Sequence, residues 1–222
     1  LRKAEKAAQL EVAAARERAE LQLVEGNRRV ANSLTLVVSM AHLQAAALPR
    51  GEARDAIEDF ATRVYAIAQV HKRLYTSQDI RAVQLDSYLS ELVRDLHRSV
   101  TSQKSITKIT FDCPPLRVSI DRAISLGVIL SELITNVGKY AYPDDLRGAV
   151  RVRVHCNDGK AARLEVEDDG VGIKAGAPDG TGVGTQVMDA LAHSLNGRLE
   201  MIKLERGTRA ILHFDVVLLP AR

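Results

Sequence analysis

The chain has 222 residues, 46% of them hydrophobic, which leaves room for two small domains or one domain plus an extended helical part and excludes a disordered chain. A formal net charge of +3, with Lys and Arg scattered rather than clustered, gives no grounds for a nucleic-acid partner. Two cysteines, no signal-peptide pattern and no apolar run of spanning length lead to an expectation of free thiols, a cytoplasmic location and no membrane segment in this chain. The chain opens on Leu1 directly in a charged helical pattern, as expected of the C-terminal part of something longer.

Residues 1 to about 48 predict one long helix, Ala-rich with mixed charge through Glu20. Beyond it a stronger apolar stripe runs through Leu23, Val30, Leu34, Val37, Val38, Ala41 and Leu48. Gly26 is its weak point, costing about 1 kcal/mol relative to Ala. Leu48-Pro49-Arg50-Gly51 is a turn, and Glu52 to Tyr75 repeats apolar residues at helical period, with His71 among them. The pair is a hairpin with more apolar face than it can cover itself, so a homodimer closing a four-helix bundle is expected. His71 and His42 read as packing residues.

Thr76 to Val83 reads as a linker, and about Asp86 to Val100 as a helix. The period then changes to alternation at Ile109, Phe111 and Cys113, and again at Leu116, Val118 and Ile120, which predicts strands. Asp121 is expected to cap the next helix, which stops before Pro143. Strands follow around Val150 to Val154 and Leu164 to Asp168, joined by a hairpin turn at Asn157-Asp158-Gly159. A Gly-rich loop then leads to a helix from about Gly184 to Leu195, ended by Asn196-Gly197. Two last strands flank Arg206-Gly207. The fold class expected is α+β: a long helical hairpin, followed by an α/β sandwich with helices on one face of a mixed, largely antiparallel sheet.

Three segments carry chemistry. Glu132, Asn136 and Lys139 fall near one face of an otherwise apolar helix, an acid, an amide and a base suited to a metal-bound polyphosphate. Taken alone, that stretch fits a solvated helix face equally well. Asp168-Asp169-Gly170-Val171-Gly172 comes off a strand end, where a carboxylate can accept from an exocyclic amine and the glycines permit a tight turn. Gly180-Thr181-Gly182-Val183-Gly184 runs into a helix N-terminus, which favours phosphate, while Asn136 offers an amide oxygen to Mg²⁺. The order helix, strand end, glycine loop into helix is far more specific than any one of them. It is neither a P-loop nor a dinucleotide fingerprint.

On these residues the sequence resembles the catalytic core of a sensor histidine kinase, whose ATP-binding domain belongs to the GHKL (Bergerat-fold) ATPases. Glu132-Leu-Ile-Thr-Asn136 is similar to the asparagine box, Asp168-Asp-Gly-Val-Gly172 to the first glycine box, Gly180-Thr-Gly-Val-Gly184 to the second, and Gly207-Thr208 to the late Gly-Thr. The resemblance implies ATP and Mg²⁺ as cofactors, with Asn136 on the metal and Asp168 on the adenine amine. It implies glycines in a mobile lid, Lys139 and Thr208 in the nucleotide site, and Glu132 as base. Asn27-Arg28-Arg29-Val30-Ala31-Asn32 and the segment around His71 resemble the dimerisation and phosphotransfer domain of HWE and related type-2 histidine kinases. The implied domains are a signalling helix at 1–20 from an upstream sensor in cis, the hairpin at 21–78, and the ATP-binding domain at 84–222.

One position departs from the family. Arg28 stands where the phosphoacceptor histidine is expected. Neutral imidazole offers a ring-nitrogen lone pair to a phosphoryl group; guanidinium, with a pKa above about 12, stays protonated and has none to offer. His42 is a poor substitute, about 20 Å along the helix at roughly 1.5 Å per residue. Loss of autophosphorylation is therefore expected, with three readings open. The first is a degenerate kinase acting on a response-regulator receiver, with Asn32 one turn after Arg28 orienting a water for phosphatase chemistry. The others are a kinase carrying an acceptor substitution and a non-catalytic scaffold.

Overall fold

Helices α1 (Arg2–Ala47) and α2 (Glu52–Arg73) form an antiparallel hairpin. The structure, a computed structural model, describes residues 2–73, 82–101, 105–144, 146–156, 160–173 and 183–216. Small side chains set the close approach of the two helices: Ala31, Val38, Ala41 and Ala45 of α1 are buried, and Ala61 and Val64 are their counterparts on α2. Gly51, at φ +152°, begins α2, and its carbonyl accepts from the Asp55 N–H at 3.1 Å. Glu52 and Asp55 then place negative charge in the first turn, against the positive end of the helix dipole. Within α1, Glu17–Ala47 is long and apolar enough, by length and composition alone, to cross a membrane, which the sequence reading did not expect. Part of that stretch, Val38 and Ala41, packs on α2.

Beyond the hairpin, β1 (Ala82–Gln84) pairs antiparallel with β3 (Arg117–Ser119), so a strand stands at the end of the expected linker. The rest of that linker lies outside the described residues. Helix α3 (Leu85–Thr101) buries Leu85, Tyr88, Leu89, Leu92, Val93 and Leu96, its expected face. The strand expected to reach Ile120 stops at Ser119, which caps α4 (Ile120–Asn136) in place of Asp121. Ser119 is extended (φ −64°, ψ 160°), so it can end a strand while its hydroxyl accepts from the Arg122 N–H at 3.5 Å. Asp121 sits in the first turn instead.

A five-stranded sheet has the order β2-β4-β5-β7-β6, from β2 (Ile106–Asp112), β4 (Gly148–Cys156), β5 (Ala161–Asp168), β6 (Arg198–Lys203) and β7 (Thr208–Asp215). Only the β2/β4 pair is parallel. Alternation sends Val150, Val152, Val154, Leu164, Val166, Ala210, Leu212 and Phe214 to the helix-covered face. On the other face Glu167 accepts from Arg151 at 2.8 Å and from Arg209 at 2.7 Å, and Glu165 from Arg163 at 2.8 Å. The turn expected at 157–159 lies outside the described residues. Helix α5 (Val183–Ser194) ends as Asn196 takes a left-handed φ of 54° and Gly197 N–H reaches back to Ala192 O at 2.9 Å.

The main core does not stop at the hairpin. Ala66 and Val70 of α2 belong to the same buried cluster as Leu126, Leu130 and Leu164. Tyr88 of α3 fits the notch at Gly127, where any Cβ would collide with its hydroxyl, and that hydroxyl donates to Ala66 O at 3.1 Å. Tyr65 donates to Asp95 at 2.6 Å, and burial with that bond lifts its phenol to about 12. The second hairpin helix is thereby docked on α3 and α4.

Candidate functional site

Helix α4 turns its apolar side to the sheet and continues into a π-turn, Val137–Ala141, before Pro143. Such turns insert an extra residue into a helix and recur at functional sites. Asn136, half-buried at the junction, spends no side-chain hydrogen bond on capping the turn. Its two expected companions are both engaged by the hairpin. Glu132, 5% exposed, accepts from Arg63 Nε at 2.5 Å and from Arg63 Nη2 at 3.1 Å. Those hydrogen bonds hold the Arg63 guanidinium above its usual value, against the opposing effect of burial. Lys139 Nζ donates to Asp59 Oδ1 at 2.6 Å, both side chains about one quarter exposed. Sequence reasoning missed Arg63 and Asp59.

Asp168 ends β5, only 4% exposed. Burial raises its carboxyl above the ordinary value, opposed by N–H bonds from Gly170, at 2.9 Å, and Thr208. Gly170 packs on the π-turn so closely that a Cβ would collide with Ala141 O, and the next N–H, of Val171, donates to that same oxygen at 3.0 Å. Gly172, at φ +74°, has the space for its missing Cβ 2.9 Å from Gly207 O. Gly207, at φ +86°, lies against Asp168 O. Tight turns of this handedness, at this backbone spacing, accept glycine alone. The end of the π-turn, the Asp168 turn and the Gly207-Thr208 turn are thus one contiguous surface.

Asp169 fastens that surface from behind. Its Oδ1 accepts from Tyr142 Oη at 2.7 Å and from the Ala149 N–H at 3.1 Å. Burial pushes its carboxyl up, but these bonds outweigh it and the net shift is downward. Gly184 opens α5 directly over the buried ion pair: its Cβ would stand 2.6 Å from Glu132 Oε2 and 3.6 Å from Arg63 Nη2. Gly180 and Gly182 lie outside the described residues. The donor set fits a nucleotide with a hard divalent cation. A buried carboxylate can accept a hydrogen bond from an amine, glycine turns leave a cradle that a Cβ would fill, and Asn136 could supply one amide oxygen. Among the described residues no three acidic, His or Cys side chains gather as a metal cage, so a cation held by Asn136 would need further ligands such as phosphate and water.

The acceptor position lies elsewhere, on the hairpin. Arg28 reaches back one turn to Glu25 with a two-pronged pair, Nε to Oε2 at 2.6 Å and Nη2 to Oε1 at 2.5 Å. Arg29 adds a bond at 2.9 Å. The Arg28 bond, then that of Arg29, holds the exposed Glu25 carboxyl down at about 2. Beside it, Asn27 Oδ1 stands 3.1 Å from His71 Nδ1, which fixes this level of α1 opposite His71, and burial lowers the pKa of that imidazole. Asn32 and His42 are exposed. Arg63 is eight residues before His71 on α2, about 12 Å along the axis. The structure therefore joins Glu132 to Gly184, and Asp168 to Gly170, Gly172 and Thr208, with Asn136 and Lys139 at the helix end that carries Glu132. It leaves Arg28, near the level of His71, about two helical turns from Arg63 along the hairpin, and Asn32 about one turn from it.

Comparison with known proteins covers both halves. Residues 25–100 match the family described as histidine kinase, and residues 121–218 the histidine kinase-, DNA gyrase B-, and HSP90-like ATPases. Blue-light-activated histidine kinase 2 of Erythrobacter litoralis is 25% identical over 203 residues, 89% of this chain and 57% of that protein. Sensor histidine kinase PdtaS of Mycobacterium tuberculosis is 29% identical over 197 residues, 86% of this chain and 39% of that protein. The chain thus spans well under two thirds of these relatives. The histidine kinase domain of the E. litoralis EL346 blue-light activated histidine kinase superposes with a TM-score of 0.66 at 21% identity, covering 89% of this chain and 94% of that one. That likeness shows the fold.

Proposed function

Because the chain belongs to the histidine kinases, we propose that it is a cytoplasmic two-component signalling protein that binds ATP with Mg²⁺ yet does not load its own helix with phosphate. The observation that carries this reading is the contrast between the two ends of the chemistry. Asp168, Gly170, Gly172 and Thr208 meet the π-turn that follows Asn136, which supports a nucleotide site there. The acceptor position instead holds Arg28, a guanidinium already bonded to Glu25.

Bound Mg·ATP supplies an activated terminal phosphoryl group. Asp168 receives the adenine amine, the Gly170 and Gly172 turns admit the nucleotide close to backbone, Asn136 lends its amide oxygen to the cation, and Lys139 offers charge to the phosphates. Glu132 is the acid closest in kind to a base, but it is buried against Arg63. By the resemblance, Gly180 and Gly182 are assigned to the same nucleotide site. Two copies of the hairpin pair through their exposed stripe, and an upstream sensor in cis drives α1.

The test is a Mg·ATP titration run beside an autophosphorylation assay with labelled ATP. Binding without an acid-labile phosphohistidine is expected; an acid-labile product on the wild-type chain would sink the reading. A second reading is favoured by Asn32, exposed one turn beyond Arg28. There the protein shortens the life of a receiver's aspartyl phosphate, with Asn32 orienting the water and Arg28 facing the phosphoryl group. Asn32→Ala then restores the receiver's phosphate lifetime. If Arg28→His gives autophosphorylation, the chain is a kinase carrying an acceptor substitution; receiver binding without turnover marks a scaffold.

A further inference from the structure

Asp59 and Arg63 are one turn apart on the same face of α2, and each holds one charged residue of the asparagine helix: Arg63 holds Glu132, and Asp59 holds Lys139. The two contacts differ in kind. Glu132 is 5% exposed and doubly bonded, with Gly184 packed over it, so this contact cannot open without stranding a buried charge. Asp59 and Lys139 are each about one quarter exposed and joined by a hydrogen bond of 2.6 Å, so this contact can open into water. Lys139 also sits in the π-turn, a feature that recurs at functional sites.

We propose that Asp59 of the hairpin is a competitor for the phosphate-binding lysine: its carboxylate occupies the Lys139 ammonium that a triphosphate would otherwise draw on, while Arg63–Glu132 is the fixed pivot that keeps Asp59 in reach. This rests on the reading of Lys139 as a nucleotide ligand. Carboxylate and phosphate are chemically alike to an ammonium, and Lys139 cannot satisfy both at full strength from one position. The hairpin therefore sets the affinity of the nucleotide site without touching the nucleotide. Coupling is reciprocal, so whatever Asp59 takes from ATP affinity, ATP takes from the Asp59–Lys139 contact. A shift of α2 passed down from α1 would free or seize Lys139, and the signal would be read as a change in ATP affinity.

The experiment titrates Mg·ATP and adenosine separately against the wild type, Asp59→Asn and Asp59→Glu. Adenosine probes the Asp168 end alone, because it has no phosphate to bring near Lys139. Asp59→Asn is expected to tighten Mg·ATP about tenfold and leave adenosine unchanged, with Asp59→Glu close to wild type. The stability difference between wild type and Asp59→Asn, read by denaturant titration, should shrink when ATP is saturating. Equal ATP affinity in wild type and Asp59→Asn overturns the competition and leaves the nucleotide reading intact. Equal tightening of ATP and adenosine also overturns it, because the site's shape, not the lysine's charge, would then have changed. If no variant binds either ligand, the nucleotide reading itself fails.

Discussion

At the scale of single residues, burial decides how Asp168 behaves. Its pKa in the fold lies above the 3.8 of a free aspartate, so the native state keeps this proton to higher pH than the unfolded chain does. As pH rises from about 3.8 through the raised value, ionisation at this site therefore costs stability instead of adding it. A ligand amine that donates to the carboxylate favours the ionised form and offsets part of that cost. Adenosine affinity should consequently fall as pH is lowered through the Asp168 pKa, and Asp168→Asn should flatten the profile. An identical slope in the variant would remove Asp168 from adenine recognition. Arg28 is the opposite case, a charge that no accessible pH removes. The exchange of imidazole for guanidinium was legible from sequence because it is a matter of functional groups; its anchoring by Glu25 follows from helix spacing, three residues apart.

At the scale of elements, the ion pair between α2 and α4 should behave as a buried unit. Arg63→Ala leaves the Glu132 carboxylate, with 6% of its side chain exposed, without its cation. The cost expected is about 3–5 kcal/mol, and the double variant Arg63→Leu/Glu132→Leu should recover most of it. On a chain of this size each kcal/mol is worth about 2–4 °C, so thermal melts resolve the two outcomes easily. If the double variant melts as low as the single one, the pair does not act as a unit. Sequence could single out Glu132, Asn136, Asp168 and the glycines as candidates, because each signature is local: a helical spacing, a strand end, a run of turns. It could not place Arg63 or Asp59, whose partners lie 69 and 80 residues away. By period alone both belong to the polar side of α2, indistinguishable from Arg54, which pairs with Glu58 of its own helix. The cap at Ser119 was missed for a related reason. Asp and Ser are both good caps, and only the extended backbone at Ser119 separates them.

At the scale of the whole molecule, α1 leaves Leu36, Met40 and Leu43 exposed at 62%, 54% and 72%, spaced to share a face, with Phe60 of α2 at 49%. None of the three on α1 belongs to the apolar stripe read from the sequence, part of which packs on α2, so this is the face left for the second copy that the proposed bundle requires. Leu36→Lys with Leu43→Lys should shift sedimentation from dimer to monomer while nucleotide binding persists; a wild-type chain that sediments as a monomer would remove the bundle from the proposal. The sandwich, with its one parallel strand pair, was legible from alternation and turn residues. The docking of α2 was not, because the faces of α2 and α3 are each plainly apolar yet nothing local says that they face each other. That docking has a practical consequence for dissecting the protein. A fragment beginning at residue 84, the obvious cut from sequence, would strip Ala66 and Val70 from the main core and uncover Tyr88 with Gly127 behind it. Such a fragment should bind hydrophobic dyes and precipitate, whereas one that keeps α2 from Glu52 should stay in solution with a single sharp melt. The smallest autonomous piece of this chain is therefore set by α2, one helix earlier than a motif map would draw it.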